Sequence, residues 1–278
     1  MPLPVSDIPP ETPWTMPKPK QDDLYNYPKY YDLVFGSDWK AEFDFLQEAF
    51  SKHGKGKVRR VFEPGCGTGR LMYRLGQAGY EVAGNDLNSA AVEYCNKRLV
   101  KYGLPPTAEV GDMSDFKVAK KFDAAFNMIN TFRHLPTEDH AQRHLECMAA
   151  AIRTGGLYLL GLHLTPTKGE PMDEESWAAR RGHLAVLSHM QTVDHDRRRR
   201  RERVRMRFDI YTPTQSRRLE SYIDFRIYTA TQMSRLLANV PAWRVVATYD
   251  FAYRIDRPVT IGPETEDVIY VLQKGGRI

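Results

Sequence analysis

Five short apolar runs, VRRVFEP, YEVAGNDL, AEVGDM, FDAAFNMI and LYLLGLHL, alternate with longer segments of helical period between Val58 and Leu164. Apolar runs of that length bounded by turn residues read as strands buried on both faces, and a crossover through a helix returns the next strand parallel to the last. The pattern dictates a mostly parallel sheet with helices on both sides. Leu71, Leu75 and Ala78 mark the buried face of one helix, and Val92, Cys95 and Leu99 that of the next, with Gly103 as its stop. A third helix is expected from a capping Thr137 to Arg153, burying Leu145, Met148 and Ile152 and ending at Gly155 and Gly156.

The flanks divide the chain. Residues 1–22 are proline-rich and aperiodic, the mark of an extended or disordered arm. An α/β core is expected over 23–166, led in by an amphipathic helix carrying Phe43, Phe45, Leu46 and Phe50. The period changes to two after Pro166, so 167–228 reads as an antiparallel insertion of three strands covering one end of the sheet. Residues 229–278, a helix and two strands, return to the core.

The 278 residues contain no apolar window long enough to span a bilayer, and the N-terminus lacks a signal layout, so a cytoplasmic protein is expected. Cys66, Cys95 and Cys147 lie far apart without a CxxC pair, which suggests neither a disulfide framework nor a metal site. A net charge of +5 is modest, and much of the basic excess lies in Arg197–Arg207. As a strand, that run puts Arg199, Arg201, Arg203, Arg205 and Arg207 on one face and Val204, Met206, Phe208 and Ile210 on the other. The arginine face reads as a solvated surface, the alternative being a surface for RNA or an acidic substrate.

The first run ends in EPGCGTG, a strand leading into a glycine-rich turn and a helix. Such a turn aims backbone N–H groups at a ligand. Asp86, followed by Leu87, closes the second run at the distance where an acid holds a ribose hydroxyl. Glu63, at the mouth of the loop, argues against a pyrophosphate and for a ligand bearing positive charge. Asp112 and Met113 end the third run, where a carboxylate can accept from an adenine amino group.

EPGCGTG, NDL, GDM and FNMINTFRHL, in this order and spacing, resemble the motifs of class I S-adenosylmethionine-dependent methyltransferases over roughly Tyr25 to Leu164. The resemblance implies a Rossmann-like, seven-stranded, mostly parallel sheet with an inserted antiparallel β-meander, and S-adenosyl-L-methionine as cofactor. It implies that Glu63, Gly65, Cys66 and Gly67 surround the methionine moiety, Asp86 the ribose, Asp112 and Met113 the adenine, and Asn127 and Met128 the methionine side again. Glu63 and Pro64 depart from the family, which more often has Asp and an aliphatic residue there.

Methyl transfer needs alignment more than acid–base machinery, so acceptor-binding groups are sought near the cofactor's sulfur. The loop after the fourth strand offers Asn130, Arg133 and His134, and it is similar to that of glycine and nucleotide-sugar N-methyltransferases. By that resemblance His134 orients the acceptor or takes its proton, and Tyr30 or Tyr31 faces the methyl donor; the plain alternative for each is a packing role. Trp177 and Arg181 are candidates for the pocket entrance. The expected function is methylation of a small molecule, an amine being the preferred acceptor. The alternatives are an RNA-modifying methyltransferase using Arg197–Arg207 and a non-catalytic cofactor-binding protein. No membrane partner is expected, and the oligomeric state is left open.

Overall fold

A computed structural model describes residues 20–169 and 171–276. Most of the expected arm lies outside the described residues. Lys20–Gln21 form a short strand, β1, parallel to the strand that contains Leu219 and Glu220. Two helices follow, α1 (Pro28–Phe35) and α2 (Lys40–His53). The α/β order then runs β2 (Arg60–Pro64), α3 (Met72–Gln77), β3 (Glu81–Asp86), α4 (Ser89–Lys101), β4 (Ala108–Val110), β5 (Phe122–Asn127), α5 (Glu138–Ala151) and β6 (Ile152–His163). Four long strands come next: β7 (Glu174–Arg181), β8 (Leu184–Asp196), β9 (Arg201–Tyr211) and β10 (Ser216–Arg226). The chain closes with α6 (Ala230–Ala238), β11 (Trp243–Tyr249) and β12 (Asp267–Lys274).

Seven strands pair in the order β11-β12-β6-β5-β2-β3-β4, and only the pairings made by β12 are antiparallel. The sheet is therefore the mostly parallel, doubly wound one that the apolar runs dictate. One layer packs α5 and α6 against Phe62, Tyr158 and Tyr270. The opposite layer packs Phe45, Leu75 and Leu99 of α2 to α4 against Val61, Phe126 and Leu159. The helices start where their sequences cap them. Thr137 accepts from the His140 N–H with Glu138 and Asp139 in the first turn, Asn88 accepts from Ala91, and Thr229 with Gln232 forms a reciprocal capping box.

The second sheet, β1-β10-β9-β8-β7, has four antiparallel strands where three were expected. The additional strand is β7, whose sequence EESWAARR carries little apolar alternation because its side chains are largely exposed. Val204, Met206, Phe208 and Ile210 of β9 form a third core with Leu33 and Val34 of α1. The arginine face needs one correction: Arg199 and Arg200 lie in the turn before β9, Arg200 at φ 57°, so the face begins at Arg201. Its members are engaged within the sheet: Arg201 with Asp194, Arg203 with Asp224, Arg205 with Gln191 and Arg207 with Asp209. Gly155 and Gly156 fall within β6 rather than after a helix, because α5 ends at Ala151 and Ile152 already pairs with Phe122.

Candidate functional site

In the sheet order, β2 has β3 and β4 on one side and β5 and β6 on the other, so the crevice where the winding reverses lies at the carboxyl ends of β2 and β5. EPGCGTG occupies that place. Gly65, Gly67 and Gly69 all take positive φ. At Gly65 a Cβ would stand 2.3 Å from the Thr131 methyl, so this turn needs glycine for both conformation and space. Gly67 donates its N–H to Asp86 Oδ2 at 2.8 Å, and Asn88 donates to Asp86 Oδ1 at 2.8 Å. Asp86 thus ties the glycine loop to the end of β3. Leu87 beside it is 71% exposed, a large apolar side chain left open at the crevice.

Glu63 is buried at the start of the loop, and its Oε2 has no hydrogen-bond partner among the described residues. Behind it Arg70 pairs with buried Glu42 at 2.5 Å. Two carboxylates and one guanidinium are therefore enclosed together. Burial holds the Glu63 carboxyl well above the usual range; Arg70 opposes this, while the negative charges of Glu42 and Asp86 add to it. Asn127, at the end of β5, donates to the Pro64 carbonyl at 2.7 Å and leaves its own buried Oδ1 unpartnered. Orphaned buried acceptors are costly, and two of them face one glycine loop. A ligand with a cationic donor fits them; a pyrophosphate does not.

Cys66 lies in the core beneath the loop, where its neighbour Cys95, followed by burial, raises its thiol pKa well above normal. Asp112 takes two hydrogen bonds from Ser114 on Oδ1, at 2.7 Å from the N–H and 2.8 Å from the hydroxyl, which leaves Oδ2 to other donors. The Met113 side chain packs in the core, and its carbonyl accepts from His144 Nδ1 at 2.8 Å. Met128 packs into the other layer.

Next come Ile129 and Asn130, at φ 49° and 66°. Two consecutive non-glycine residues in left-handed conformation, one of them β-branched, are strained. Asn130 is held by accepting the His163 N–H on Oδ1 at 2.8 Å. Asn130 and Arg133 line one cleft between the two sheets, whose walls also include His163, Glu175, Glu202 and Glu266. Arg133 is committed there: it forms an ion pair with Glu202 and lies 4.9 Å from the Phe225 ring centroid.

The remaining candidates are distributed differently. His134 is hydrogen-bonded through Nε2 to the Tyr25 hydroxyl at 3.1 Å and packs on Phe225, outside the walls of that cleft. Burial, helped by Arg133, pushes its pKa down to about 4. Tyr30 stacks on Tyr27, whereas Tyr31 packs between Tyr25 and Phe35 and feels the charges of Arg70 and Asp86. Trp177 packs on Phe35, and neither it nor Arg181 belongs to the cleft walls.

Sequence reasoning missed Asp32. This buried carboxylate pairs with Arg98 and accepts from Thr68 Oγ1 at 3.2 Å, joining α1 to the glycine loop and α4. His163, in GLHLTP, and the Glu266–Asp267 pair were equally unmarked, since nothing in their spacing announces that the sheet brings them together.

Fold and site define a doubly wound, Rossmann-like α/β domain with a glycine loop at its switch-point crevice. Residues 61–156 match the family described as "Methyltransferase domain". Among curated relatives, the chain is 24% identical over 133 residues to a dTDP-3-amino-3,4,6-trideoxy-alpha-D-glucopyranose N,N-dimethyltransferase of Streptomyces venezuelae, covering 47% of this chain and 54% of the relative. It is 26% identical over 147 residues to a dTDP-3-amino-3,6-dideoxy-alpha-D-glucopyranose N,N-dimethyltransferase of Streptomyces fradiae, covering 51% and 55%. The chain thus spans about half the length of the curated relatives it matches. Among solved structures, an S-adenosylmethionine-dependent methyltransferase from Clostridium acetobutylicum superposes with a TM-score of 0.74 at 16% identity, covering 92% of this chain and all of the other. DesVI of Streptomyces venezuelae gives 0.70 at 18% identity, covering 90% and 98%. No helix among the described residues is long and apolar enough to cross a membrane.

Proposed function

We infer that the protein is an S-adenosylmethionine-dependent methyltransferase acting on a small-molecule amine. The observation that carries this reading is the unpartnered, buried Glu63 carboxyl at the mouth of a glycine loop, beside a Glu42–Arg70 pair whose one guanidinium is already engaged. The residues that would hold the cofactor are Glu63, Gly65, Cys66 and Gly67 with Asn127 at the methionine end, Asp86 at the ribose, and Leu87, Asp112 and Met113 around the adenine; Met128 supports this wall from the core. When bound, S-adenosylmethionine supplies a methyl group on a positively charged sulfur.

The chain's own residues account for the rest. The Asp86 oxygens each keep a lone pair beyond the backbone N–H they accept, and a bidentate acceptor suits a vicinal diol. Asp32 holds α1, and with it Tyr31, against the loop, which shields the methionine end from water. The strained Ile129–Asn130 turn sets the wall between that end and the cleft. An amine acceptor must present a lone pair, so a proton has to leave it, and His163 and the carboxylates of the cleft are the groups placed to receive it. Asn130 and Arg133 would contact or order the acceptor, and Trp177 and Arg181 would lie toward the outer rim. His134, neutral and packed, supports Tyr25 rather than the acceptor.

The amine reading draws support from the acidic cleft and from relatives named as N,N-dimethyltransferases of dTDP-linked amino sugars. It is tested by incubating the protein with S-adenosylmethionine carrying a trideuterated methyl group and a panel of amino sugars and other amines. A product heavier by the labelled methyl, absent with Asp86→Ala, supports the reading. Labelling of RNA instead would favour the nucleic-acid alternative, and cofactor binding without product across the panel would favour a non-catalytic role.

A further inference from the structure

The cleft between the sheets has a cavity volume of about 70 Å³ and opens to solvent. Its described walls carry five carboxylates, Asp173, Glu174, Glu175, Glu202 and Glu266, against one guanidinium, Arg133, and two imidazoles, His163 and His195, the latter beside Glu202. Arg133 is spent on Glu202, which also accepts from Thr192 at 2.6 Å, and Glu174 is paired with His189 at 3.0 Å. Glu175 has no hydrogen-bond donor among the described residues, and Glu266 has only the Met172 N–H at 3.4 Å. These two carboxyls titrate above the ordinary range. Burial is the first cause for both; the like charges of Asp267 and Glu202 add to it, as does that of Glu266 at Glu175, while His163 opposes it at both and the Met172 N–H opposes it at Glu266.

His163 stands among them. Its Nδ1 lies 2.6 Å from Asp267 Oδ1, its ring packs edge-on against Phe251, and its backbone N–H is bound by Asn130. With Nδ1 donating to the carboxylate, Nε2 is left as an acceptor, without a partner among the described residues. The cleft therefore presents an imidazole acceptor and under-compensated carboxylates, next to the Asn130 turn that borders the methyl-transfer end. Mutual repulsion of this kind is relieved by a cation and worsened by an anion.

We propose that this cleft binds the amine-bearing end of the acceptor as a cation, with the ammonium group between His163 Nε2 and the carboxylates of Glu175 and Glu266 and no phosphate within its walls. The cleft rejects a diphosphate, so if the substrate is nucleotide-linked its nucleotide lies outside these walls. The meaning of the site as an acceptor site rests on the methyltransferase reading, whereas its charge selectivity does not.

Three probes separate the two. Protein saturated with S-adenosylhomocysteine is titrated with glucosamine, N-acetylglucosamine and glucosamine 6-phosphate while the side-chain nitrogen signals of His163 are followed by NMR. Glucosamine is expected to shift the His163 signals and to bind at least about tenfold more tightly than either other probe, because one loses the charge and the other adds the opposite one. In the Glu175→Gln/Glu266→Gln variant the preference for glucosamine over N-acetylglucosamine should vanish while S-adenosylhomocysteine affinity is kept, which shows that the variant is folded. Binding of glucosamine 6-phosphate as tight as that of glucosamine, equal binding of the acetylated sugar, or no glucosamine binding overturns the proposal. If S-adenosylhomocysteine does not bind, the methyltransferase reading fails, and the same titration of the unliganded protein still decides the charge selectivity.

Discussion

Gly67 and Asp86 are joined across 19 residues by a 2.8 Å hydrogen bond from the loop N–H to the carboxylate, so the acid proposed to hold the ribose also fixes the loop proposed to hold the methionine end. The two halves of the cofactor site are one unit. Asp86→Ala is accordingly expected to weaken S-adenosylhomocysteine at least about tenfold, and to cost about 1–3 kcal/mol of stability for the stranded N–H groups of Gly67 and Asn88. Calorimetry and denaturant unfolding of the same preparation check both.

Glu63 predicts proton release on binding. Burial holds its carboxyl well above the ordinary range, and a cationic amino group beside it would pull it back down. Titrations with S-adenosylmethionine in buffers of different ionisation enthalpy should show protons released, and Glu63→Gln should abolish the release. The sign for stability follows. A carboxyl whose folded pKa is raised stabilises the free protein fully below its unfolded pKa, near 4, and that contribution is lost as the pH rises toward the folded value.

His144 predicts the opposite trend in acid. Fully buried, it is pushed down to about 4 by burial, against the opposing hydrogen bond to Met113 O, while its Nε2 is bonded to the Tyr158 hydroxyl at 2.7 Å. A histidine with a lowered folded pKa contributes stability above its unfolded pKa near 6.5, and loses it as the pH falls toward about 4. The loss should be on the order of 3 kcal/mol. In His144→Gln, unfolding free energy measured between those limits should fall less steeply with acid.

Gly65→Ala tests the close approach at the loop. The new methyl meets Thr131 Cγ2 at 2.3 Å at a φ of 64°, so both a clash and a conformational cost of about 1–2 kcal/mol are expected. Adding Thr131→Ser removes the clash but not the conformational cost. The double variant should recover part of the cofactor affinity, a coupling that a double-mutant cycle measures.

Tyr31→Phe and Tyr30→Phe should part company. Tyr31 lies within reach of the Arg70 and Asp86 charges, whereas Tyr30 stacks on Tyr27. Loss of cofactor affinity or turnover is expected for the first, and wild-type values within about twofold for the second; equal effects would contradict the placement.

The sheet was legible in the sequence because buried strands and capped helices leave local marks: the run FDAAFNMI is β5 with its turn, and Thr137 is the cap it looked to be. β7 was not, since EESWAARR buries too little to alternate. The same division holds at the site. Glu63, Asp86 and the glycines announce themselves through chemistry placed on a recognisable turn. His163 and Asp267 are 104 residues apart and meet only because β12 pairs antiparallel to β6, a relation no local spacing records. The acceptor role expected of His134 rests on the resemblance of its loop to those of N-methyltransferases, which says nothing of what packs against the ring. Its neighbours Tyr25 and Phe225, from two distant elements, are what make it a packed residue.

The central claim, that the glycine loop and Glu63 receive a cofactor with a cationic amino-acid end, is tested most directly by calorimetry with S-adenosylhomocysteine on the wild type and on Glu63→Gln at neutral pH. Micromolar-range binding by the wild type and a loss of about tenfold or more in the variant is the expected result. Binding of NAD in place of S-adenosylhomocysteine, or equal affinity in the two proteins, would contradict it.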